Sequence, residues 1–449
     1  MSELNGRSLH FIAIGGAGMS GLALVCHELG ARVSGSDRSE SSYLRRVRDA
    51  GIDARLGHDA DGVPEGADVV VSTAIADDNP ELIRARERGQ RVLHRGDLLA
   101  ELTALKRLIA VAGTHGKTTT AGMLAHALRA MGQDPAFILG GELPGAGASG
   151  GAANARWGAG EWVVAEADES DASFLALRPE VAVVTNVELD HHSHWRSTGE
   201  LLEAFRRFAE PAGGLALLAE PALDPVAGRQ RTLRFGASLR RPGERPLPAG
   251  WEPHHAPRLG VPGRHNLANA LAALGAIELA GLDVAAGAEA LESFPGMLRR
   301  LERKGELNGA AVYDDYAHHP TEVAAALTAL RELQPRRLVA VFQPHLYSRT
   351  KALADGFGRA LAAADEIGVL DVYPAREEPV GPLAGVSGLD VARAAADHAG
   401  GRPVWWLGEL ERAEAALASR LGEGDLLVTL GAGDVFRLAD SLVGTEEGR

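Results

Sequence analysis

The sequence predicts an α/β protein built on parallel sheets, and two observations support this class. Short apolar runs of strand length alternate with stretches of helix length, beginning with SLHFIAIGG, SGLALVCHELG and ARVSGSD. Strands that alternate with helices favour parallel pairing, because each helix carries the chain back across the sheet. Glycine-rich turns also follow two of the predicted strands directly, which is typical of the carboxyl edge of such sheets.

The length of 449 residues indicates more than one core, since hydrophobic cores stop growing near ~250 to 300 residues. The alternating pattern restarts with RLIAVAG, and it restarts again ahead of AAVYDDYAHHP and RRLVAVFQPH. We therefore predict three domains, over residues 1–105, 106–295 and 296–449. The segment 236–262 is rich in proline, glycine and arginine, so we expect it to be irregular.

Composition and charge limit the classes of function. Apolar residues make up 45% of the chain, as in ordinary folded proteins, and no run approaches the ~18 apolar residues of a membrane helix. The formal net charge of -14 argues against a nucleic-acid partner, because such binding needs clustered positive charge. The single cysteine, Cys26, excludes internal disulfides and is expected to be a buried helix residue. We predict a cytoplasmic protein that binds neither nucleic acid nor membrane.

The first glycine-rich turn, GAGMSG, follows the predicted strand HFIAI, and Asp37 ends the next predicted strand. This arrangement is typical of dinucleotide binding. However, glycines at such a turn admit any diphosphate, so a nucleotide-sugar diphosphate fits as well as NAD. An NAD-dependent dehydrogenase therefore stays an alternative.

The second turn, AGTHGKTTT, lies between a predicted strand and an amphipathic helix with an apolar stripe at Leu124, Leu128 and Met131. Backbone N–H groups and the helix dipole can cradle phosphates at such a turn. Lys117 can reach the β and γ oxygens, and a hydroxyl can hold Mg²⁺. The usual P-loop pattern needs a glycine where this chain has Val111, so the loop is shorter than that consensus and indicates a particular subclass.

Two strand ends that follow the phosphate loop carry acidic residues: Glu166 in AEADESD, and Asp190 beside His191 in VELDHH. Either cluster alone is more often a solvated strand end than a metal site. Oxygen and imidazole ligands beside a phosphate loop can bind a divalent metal, however. Their position after the phosphate loop therefore favours a magnesium site.

Taken together, these motifs resemble those of the Mur ligases. The resemblance runs from about residue 9 to about residue 440, through IGGAGMSG, AVAGTHGKTTT, EADESDASF, TNVELDHH, GRHNLANAL, VYDDYAHHPTE, FQPHLYSRTK and LGAGD. It implies an N-terminal Rossmann-like domain that binds a UDP-sugar, a central P-loop ATPase domain and a C-terminal Rossmann-like domain that brings in the amino acid. It also implies an amide-forming ligase of cell-wall synthesis that uses ATP and Mg²⁺. We expect a monomer or a weak homodimer.

The resemblance implies roles for individual residues in four sets. The ATP-binding set is Gly113, Thr114, His115, Gly116, Lys117, Thr118, Thr119, His265, Asn266, Arg300 and Asp315. The UDP-sugar set is Gly16, Ala17, Gly18, Met19, Ser36 and Asp37. The catalytic set is Lys117, His318, His345 and Arg349. The metal ligands are Thr118, Glu166 and His191.

Two features favour the branch of the family that couples L-alanine to UDP-N-acetylmuramate. The chain has no lysine between Lys117 and Lys304, so it lacks the carbamylated lysine of relatives that add D-glutamate or diaminopimelate. EADESDASF and FQPHLYSRTK are of the alanine-adding type rather than that of the muropeptide-recycling ligase, which stays an alternative. Ala317 and Leu346 stand where that branch commonly has glycine and arginine, so glycine or serine as the substrate stays open. A nucleotide-sugar sensor without turnover is the alternative of a different class.

Overall fold

The computed structural model describes residues 4–147, 150–189, 194–236, 251–254 and 257–444. The chain forms two compact units: the first is Met1–Gly260 with Leu267–Pro295, and the second is Val261–Asn266 with Gly296–Arg449. Within the described ranges there are three mostly parallel sheets, so the predicted α/β class is confirmed. The domain boundaries at residues 105 and 295 stay predictions. The segment 261–266 precedes the second boundary in sequence but belongs to the second unit.

The first sheet has five parallel strands in the order β3-β2-β1-β4-β5. The strands are β1 Ser8–Ile12, β2 Arg32–Asp37, β3 Asp53–Leu56, β4 Asp68–Val71 and β5 Val92–His94. The helices are α1 Ala17–Glu28, α2 Ser42–Asp49, α3 Pro80–Glu87 and α4 Arg95–Thr103. The strand order reverses between β1 and β4, and sheets of this kind bind ligands beside that point. The turn that follows β1 therefore lies at the position where a ligand is expected.

The second sheet has seven strands in the order β12-β11-β10-β6-β9-β7-β8, and only the β7–β8 pair is antiparallel among those described. The strands are β6 Arg107–Ala112, β7 Ala136–Leu143, β8 Ala153–Arg156, β9 Trp162–Glu166, β10 Val181–Val184, β11 Gly214–Leu218 and β12 Arg231–Phe235. The helices are α5 Lys117–Ala130, α6 Thr198–Ala209, α7 Arg264–Leu279 and α8 Val284–Glu292. Because β6 lies between β9 and β10, its carboxyl end meets the ends of both neighbours.

The first two sheets are joined by close packing of α1 on β7 and β8. A Cβ placed on Gly21 in α1 would lie 3.2 Å from the Cβ of Ala155, so glycine allows the helix to approach the sheet. The side-chain nitrogen of Asn154 donates to the carbonyl oxygen of Ala17 at 2.7 Å. The start of α1 is therefore fixed against the second sheet within the first unit.

Helix α5 is buried on nearly every side, because it lies on the second sheet and also contacts α8. Leu124 and Leu128 are fully buried, as predicted, and each such side chain contributes about 1.5 to 3 kcal/mol of hydrophobic free energy. Met131 is only half buried, because the helix ends at Ala130 and Met131 is its C-cap. The predicted stripe is therefore right for two of its three members.

The prediction for Cys26 is confirmed, since it lies inside α1 and is fully buried. Burial raises the pKa of its thiol to about 12. The thiol therefore stays protonated at neutral pH, which suits a packing role rather than a nucleophile.

The third sheet has six strands in the order β13-β14-β18-β15-β16-β17, with β13 and β14 antiparallel and the other pairs parallel. The strands are β13 Glu302–Leu307, β14 Ala310–Asp315, β15 Arg337–Phe342, β16 Glu366–Leu370, β17 Val404–Gly408 and β18 Asp425–Leu430. The helices are α9 Pro320–Arg331, α10 Tyr347–Leu361, α11 Gly388–His398, α12 Leu410–Ala418 and α13 Phe436–Val443. Across the described ranges, no helix is long and apolar enough to cross a membrane.

Candidate active site

The turn between β6 and α5 requires glycine at two positions. Gly113 has a φ of +133° and Gly116 a φ of +83°, which L side chains rarely adopt. A Cβ on Gly113 would collide with the hydroxyl of Thr185, and one on Gly116 would lie 2.5 Å from Asn269 Oδ1. No described side chain caps α5, whose first turn includes the buried Thr119. The first N–H groups of α5 therefore line the turn, as in an anion site at a helix N-terminus.

Side chains that follow β10 hold this turn in shape. The carbonyl oxygen of His115 accepts hydrogen bonds from Thr185 Oγ1 at 2.6 Å and from Asn186 Nδ2 at 2.8 Å. Asn186 Oδ1 accepts from the backbone N–H of His115 at 2.9 Å. Thr114 Oγ1 donates to the carbonyl oxygen of Glu188 at 2.9 Å, and His115 Nε2 lies 3.1 Å from Glu188 Oε2. The TNVE segment is therefore a structural partner of the turn, a role that its sequence alone does not reveal.

Lys117 is the first residue of α5 and forms a buried ion pair. Its ammonium donates to the carbonyl oxygen of Gly113 at 2.5 Å and to both carboxylate oxygens of Glu169, at 2.9 and 3.1 Å. Glu169 is only 1% exposed, so water does not screen the pair. Burial disfavours the charge on Lys117, but Glu169 and Asp168 outweigh it and raise the pKa of the ammonium. Glu169 is a site residue that the sequence analysis missed.

Glu166 and Thr118 bring two oxygen ligands together beside the turn. Thr118 Oγ1 donates to Glu166 Oε2 at 3.1 Å, and the backbone N–H of Gly140 donates to Glu166 Oε1 at 2.6 Å. Hydroxyl and carboxylate oxygens are the ligands that Mg²⁺ prefers in proteins. The described part of the predicted metal set therefore fits a divalent cation. His191, the third predicted ligand, and its neighbour Asp190 lie outside the described residues.

The carboxylate of Asp37 shapes the first glycine-rich turn. Its Oδ2 accepts from the backbone N–H of Gly15 at 2.9 Å, and its Oδ1 accepts from that of Ser39 at 3.2 Å. Among the described side chains none caps α1. The N–H groups of Ala17 and Gly18 at the start of α1 therefore remain as polar groups of the turn.

Three other members of the predicted UDP-sugar set are tied into the fold. Met19 is 4% exposed and belongs to the core of the first sheet. Ser36 is equally buried, and its hydroxyl donates to Glu81 Oε2 at 2.5 Å and contacts His58 Nδ1 at 2.8 Å. The backbone N–H of Gly16 donates to Ala13 at 3.2 Å. Contact of these residues with a UDP-sugar stays a prediction.

In the second unit, Asp315 lies at the end of β14 and organises the backbone around it. Its carboxylate oxygens accept from the backbone N–H groups of Leu301, at 2.7 Å, and Ala317, at 2.8 Å. Burial raises the pKa of Asp315 to about 6, although the nearby guanidinium of Arg300 opposes this shift. That guanidinium lies 5.1 Å from the ring centre of Tyr316. Arg300 and Asp315, predicted as one group, are therefore close together.

His265 and Asn266 lie in the first turn of α7 and belong to the second unit. Asn266 Nδ2 donates to the carbonyl oxygen of Pro262 at 2.7 Å, and Asn266 is 5% exposed. Burial, with a contribution from the charge of Arg300, lowers the pKa of His265 to about 4. The His265 ring is therefore neutral at pH 7 and lies near Arg300.

The carboxyl ends of β14 and β15 bring two predicted catalytic histidines together. The ring centres of His318 and His345 are 6.2 Å apart, and His345 stacks on Tyr373 at 5.8 Å. Arg349 Nη1 lies 3.4 Å from His345 Nδ1. Burial is the main cause that lowers the pKa of His318 to about 4 and that of His345 to about 3, and Arg349 contributes to both shifts. Both rings are therefore neutral at pH 7, and each has one ring nitrogen that can accept a hydrogen bond.

Leu346 adopts a left-handed backbone conformation with a φ of +68° directly before α10. For a residue other than glycine this conformation costs on the order of 1 to 3 kcal/mol, so the surroundings must hold it. The backbone N–H of Leu346 donates to the carbonyl oxygen of Tyr373 at 3.0 Å. The strained residue therefore helps to fix His345 against Tyr373.

Three family models match the chain in order along its length. They are "Mur ligase family, catalytic domain" over residues 8–107, "Mur ligase middle domain" over residues 111–219 and "Mur ligase, glutamate ligase domain" over residues 299–433.

Individual proteins show the same relationship over nearly full lengths. The UDP-N-acetylmuramate–L-alanine ligase of Kineococcus radiotolerans is 48% identical, covering 95% of this chain and 93% of that protein. The ligase of the same name from Mycolicibacterium vanbaalenii is 43% identical, covering 99% and 97%. The crystal structure of UDP-N-acetylmuramate–alanine ligase from Thermotoga maritima is 28% identical, with a TM-score of 0.81 over 97% of this chain and 98% of that one. A murein peptide ligase from Psychrobacter arcticus has the same fold, with 24% identity and a TM-score of 0.71 over 99% of this chain and 100% of that one. This chain belongs to the Mur ligase family.

Proposed function

We propose that this chain joins L-alanine to the carboxylate of UDP-N-acetylmuramate, with conversion of ATP to ADP and phosphate, in the synthesis of peptidoglycan precursors. Relatives that bear this name are 43% and 48% identical over nearly the whole chain. The observation that carries the proposal is the phosphate turn of α5, with Lys117 inside it and the Thr118–Glu166 oxygen pair beside it. A cytoplasmic location and a monomer or weak homodimer stay predictions.

The reaction proposed has two steps. The carboxylate oxygen of the sugar acid attacks the γ-phosphorus of ATP, so that an acyl phosphate forms and ADP leaves. The amine of L-alanine then attacks the acyl carbon, and the tetrahedral intermediate expels phosphate to leave an amide. The first step brings two anions together, so the main task of the site is neutralisation of charge and positioning.

Residues of the first unit supply that neutralisation. The N–H groups of the turn would bind the β and γ phosphates, and Lys117 would exchange one of its Glu169 contacts for a phosphate oxygen. Mg²⁺, when bound, would neutralise further phosphate charge, and Thr118, Glu166 and His191 would hold it. Because Lys117 remains charged in its buried position, it is ready for that exchange.

The second unit supplies a base and nucleoside contacts in this proposal. His318 or His345 would take a proton from the alanine ammonium, since both rings are neutral at pH 7. Arg349, beside His345, would neutralise the carboxylate of the amino acid or the acyl phosphate. The contacts to adenine, ribose and phosphate are assigned to His265, Asn266, Arg300 and Asp315.

The proposed function is tested by phosphate release with ATP, Mg²⁺, UDP-N-acetylmuramate and each of the twenty amino acids in turn. We expect release with L-alanine, and the rates with glycine and L-serine measure how strict the pocket is. UDP-N-acetylglucosamine, which lacks the carboxylate, is the control and should give none. Release only with a muropeptide would indicate the recycling ligase. Tight UDP-sugar binding without turnover would indicate a nucleotide-sugar sensor. Reduction of NAD would indicate a dehydrogenase.

Glu166→Gln should raise the Mg²⁺ concentration needed for half-maximal phosphate release by about tenfold or more, since it removes a charge but keeps the shape. The amide oxygen can still accept from the backbone N–H of Gly140, and the amide NH2 can donate to Thr118 Oγ1 in place of the bond that the carboxylate accepts, so the turn should keep its geometry. The matched control is Glu180→Gln, because Glu180 pairs with Arg107 at the opposite end of the same sheet. An unchanged Mg²⁺ dependence in Glu166→Gln would show that Glu166 is not a metal ligand and has only a structural role at the end of its strand.

A further inference from the structure

Arg95 lies between the two glycine-rich turns of the first unit. It is the first residue of α4, and its Nη2 donates to Asp168 Oδ2 at 2.7 Å. Its Nη1 lies 3.4 Å from the place where a Cβ on Gly18 would stand. Asp168 directly precedes Glu169, the carboxylate that holds Lys117. One guanidinium therefore reaches from the first turn to the segment that holds the lysine of the second turn.

The two terminal nitrogens of the Arg95 guanidinium, Nη1 and Nη2, differ in their hydrogen-bond partners. Burial opposes the charge on Arg95, but Asp168 and Asp171 outweigh it and raise the pKa of the guanidinium. Nη2 is anchored by the carboxylate of Asp168 at 2.7 Å. Within the described ranges Nη1 has no hydrogen-bond partner, so its donors are available on the side of Gly18.

Polar atoms beside Arg95 are buried without hydrogen bonds. Asp171 Oδ2 and His94 Nε2 lie 3.5 Å apart, and in the part of the chain described neither has a hydrogen-bond partner. The side chain of Asp171 is 9% exposed. Gly96 packs so closely on Ser173 that a Cβ would collide with it, which fixes the start of α4 in place. Buried polar atoms are rarely unsatisfied, so this position suits a water molecule or a hydroxyl group of a ligand, either of which can donate to the carboxylate.

We propose that Arg95 binds the diphosphate of the nucleotide sugar held at the first turn and directs the sugar acid toward the phosphate turn of α5. The inference rests on the proposed function, because it takes the first turn as the UDP-sugar site. A guanidinium binds phosphate oxygens through paired N–H donors, and here one side is already oriented by Asp168. The N–H groups of Ala17 and Gly18 and the Nη1 donors would then contact the same diphosphate.

The test is calorimetric binding of uridine, UDP, UDP-N-acetylglucosamine and UDP-N-acetylmuramate to the full-length protein. Arg95→Ala should weaken UDP and both UDP-sugars by a similar factor of about 10 to 100, as for loss of a hydrogen bond to a charged group. Uridine, which lacks phosphates, should bind as it does to the wild type. Arg95→Lys keeps the charge but loses the paired donors, so it should show a smaller loss.

Arg91→Ala is the matched control, because Arg91 pairs with Glu101 and Asp68 at an exposed position of the same sheet. It should leave all four affinities unchanged. Weaker binding of UDP-N-acetylmuramate alone would overturn the assignment, since it would place Arg95 at the carboxylate. Equal affinities in Arg95→Ala and the wild type, or an equal loss for uridine, would also overturn it. If Arg95→Ala does not fold, the lysine variant decides between these outcomes. Failure of the wild type to bind UDP-N-acetylmuramate would instead contradict the proposed function.

Discussion

Lys117→Ala is expected to lower the rate of ADP formation by on the order of 10²-fold or more, the loss typical of removing one preorganised charge from a phosphate or oxyanion site. The ammonium lies inside the turn, 2.5 Å from the carbonyl oxygen of Gly113. It keeps its charge there despite burial. ADP formation at saturating UDP-N-acetylmuramate, L-alanine and Mg²⁺ measures the effect.

The same substitution should destabilise the first unit, because it leaves the carboxylate of Glu169 buried without its cation. Glu169 is 1% exposed, and removal of one partner from a buried pair costs about 3 to 5 kcal/mol. A phosphate-binding lysine would be expected from sequence to be dispensable for folding. The observed pair with Glu169 indicates a structural role as well, which urea denaturation followed by circular dichroism would measure.

The double variant Lys117→Ala with Glu169→Gln separates the two roles of the lysine. It removes the unpaired buried charge, so most of the lost free energy of unfolding should return, while ADP formation should stay as low as in the single variant. Near-wild-type ADP formation in a folded Lys117→Ala protein would contradict the assignment of the ATP site. A double variant as unstable as the single one would show that the Glu169 charge does not cause the destabilisation.

The glycine-rich turns could be predicted from sequence because their requirements are local. Gly113 and Gly116 have the positive φ angles that glycine favours, and they lie between a strand and a helix as the pattern indicated. The positions of Glu166 and Asp315 at strand ends follow equally from local alternation of strands and helices.

The partners of the predicted side chains could not be predicted in the same way. Glu169 pairs with a lysine 52 residues away, and Arg95 pairs with Asp168 over 73 residues. A single sequence contains no signal for such pairs, because many arrangements of surface carboxylates and arginines share the same composition. The neutral state of His318 and His345 also depends on burial by several elements, and only the fold determines it.

A protein truncated after Pro295 is expected to fold and to bind UDP-N-acetylmuramate, yet to form no ADP in the presence of ATP. The cut removes the third sheet and leaves the first two sheets with their helices. The UDP-sugar set and the phosphate turn both lie before the cut. His318, His345 and Arg300 lie beyond it, so the base and part of the proposed ATP contacts would be absent.

The residues just before the cut belong to the unit that is kept. His126 Nε2 in α5 contacts the carbonyl oxygen of Ala290 at 3.2 Å and Ser293 Oγ at 3.0 Å. The His126 ring also meets the edge of Phe294 at 5.7 Å. A Cβ on Gly214 in β11 would lie 3.0 Å from the side chain of Leu279, so α7 packs directly on the second sheet. A cut before these residues would open the core, whereas a cut after Pro295 keeps it closed.

Calorimetry on the purified truncation should give an affinity for UDP-N-acetylmuramate within about tenfold of the full-length value, a difference of about 1.4 kcal/mol. The matched control is full-length Arg300→Ala, which keeps the third sheet and should bind the UDP-sugar as the wild type does while ADP formation falls. The truncation is expected to fold because, of the residues that it keeps, only the short segment 261–266 belongs to the unit that is removed. Circular dichroism and a cooperative urea transition would establish that it is folded. Loss of UDP-sugar binding in a folded truncation would mean that the second unit contributes to that site. ADP formation by the truncation would mean that residues 1–295 contain the whole catalytic apparatus, and the roles proposed for His318, His345 and Arg300 would then be wrong.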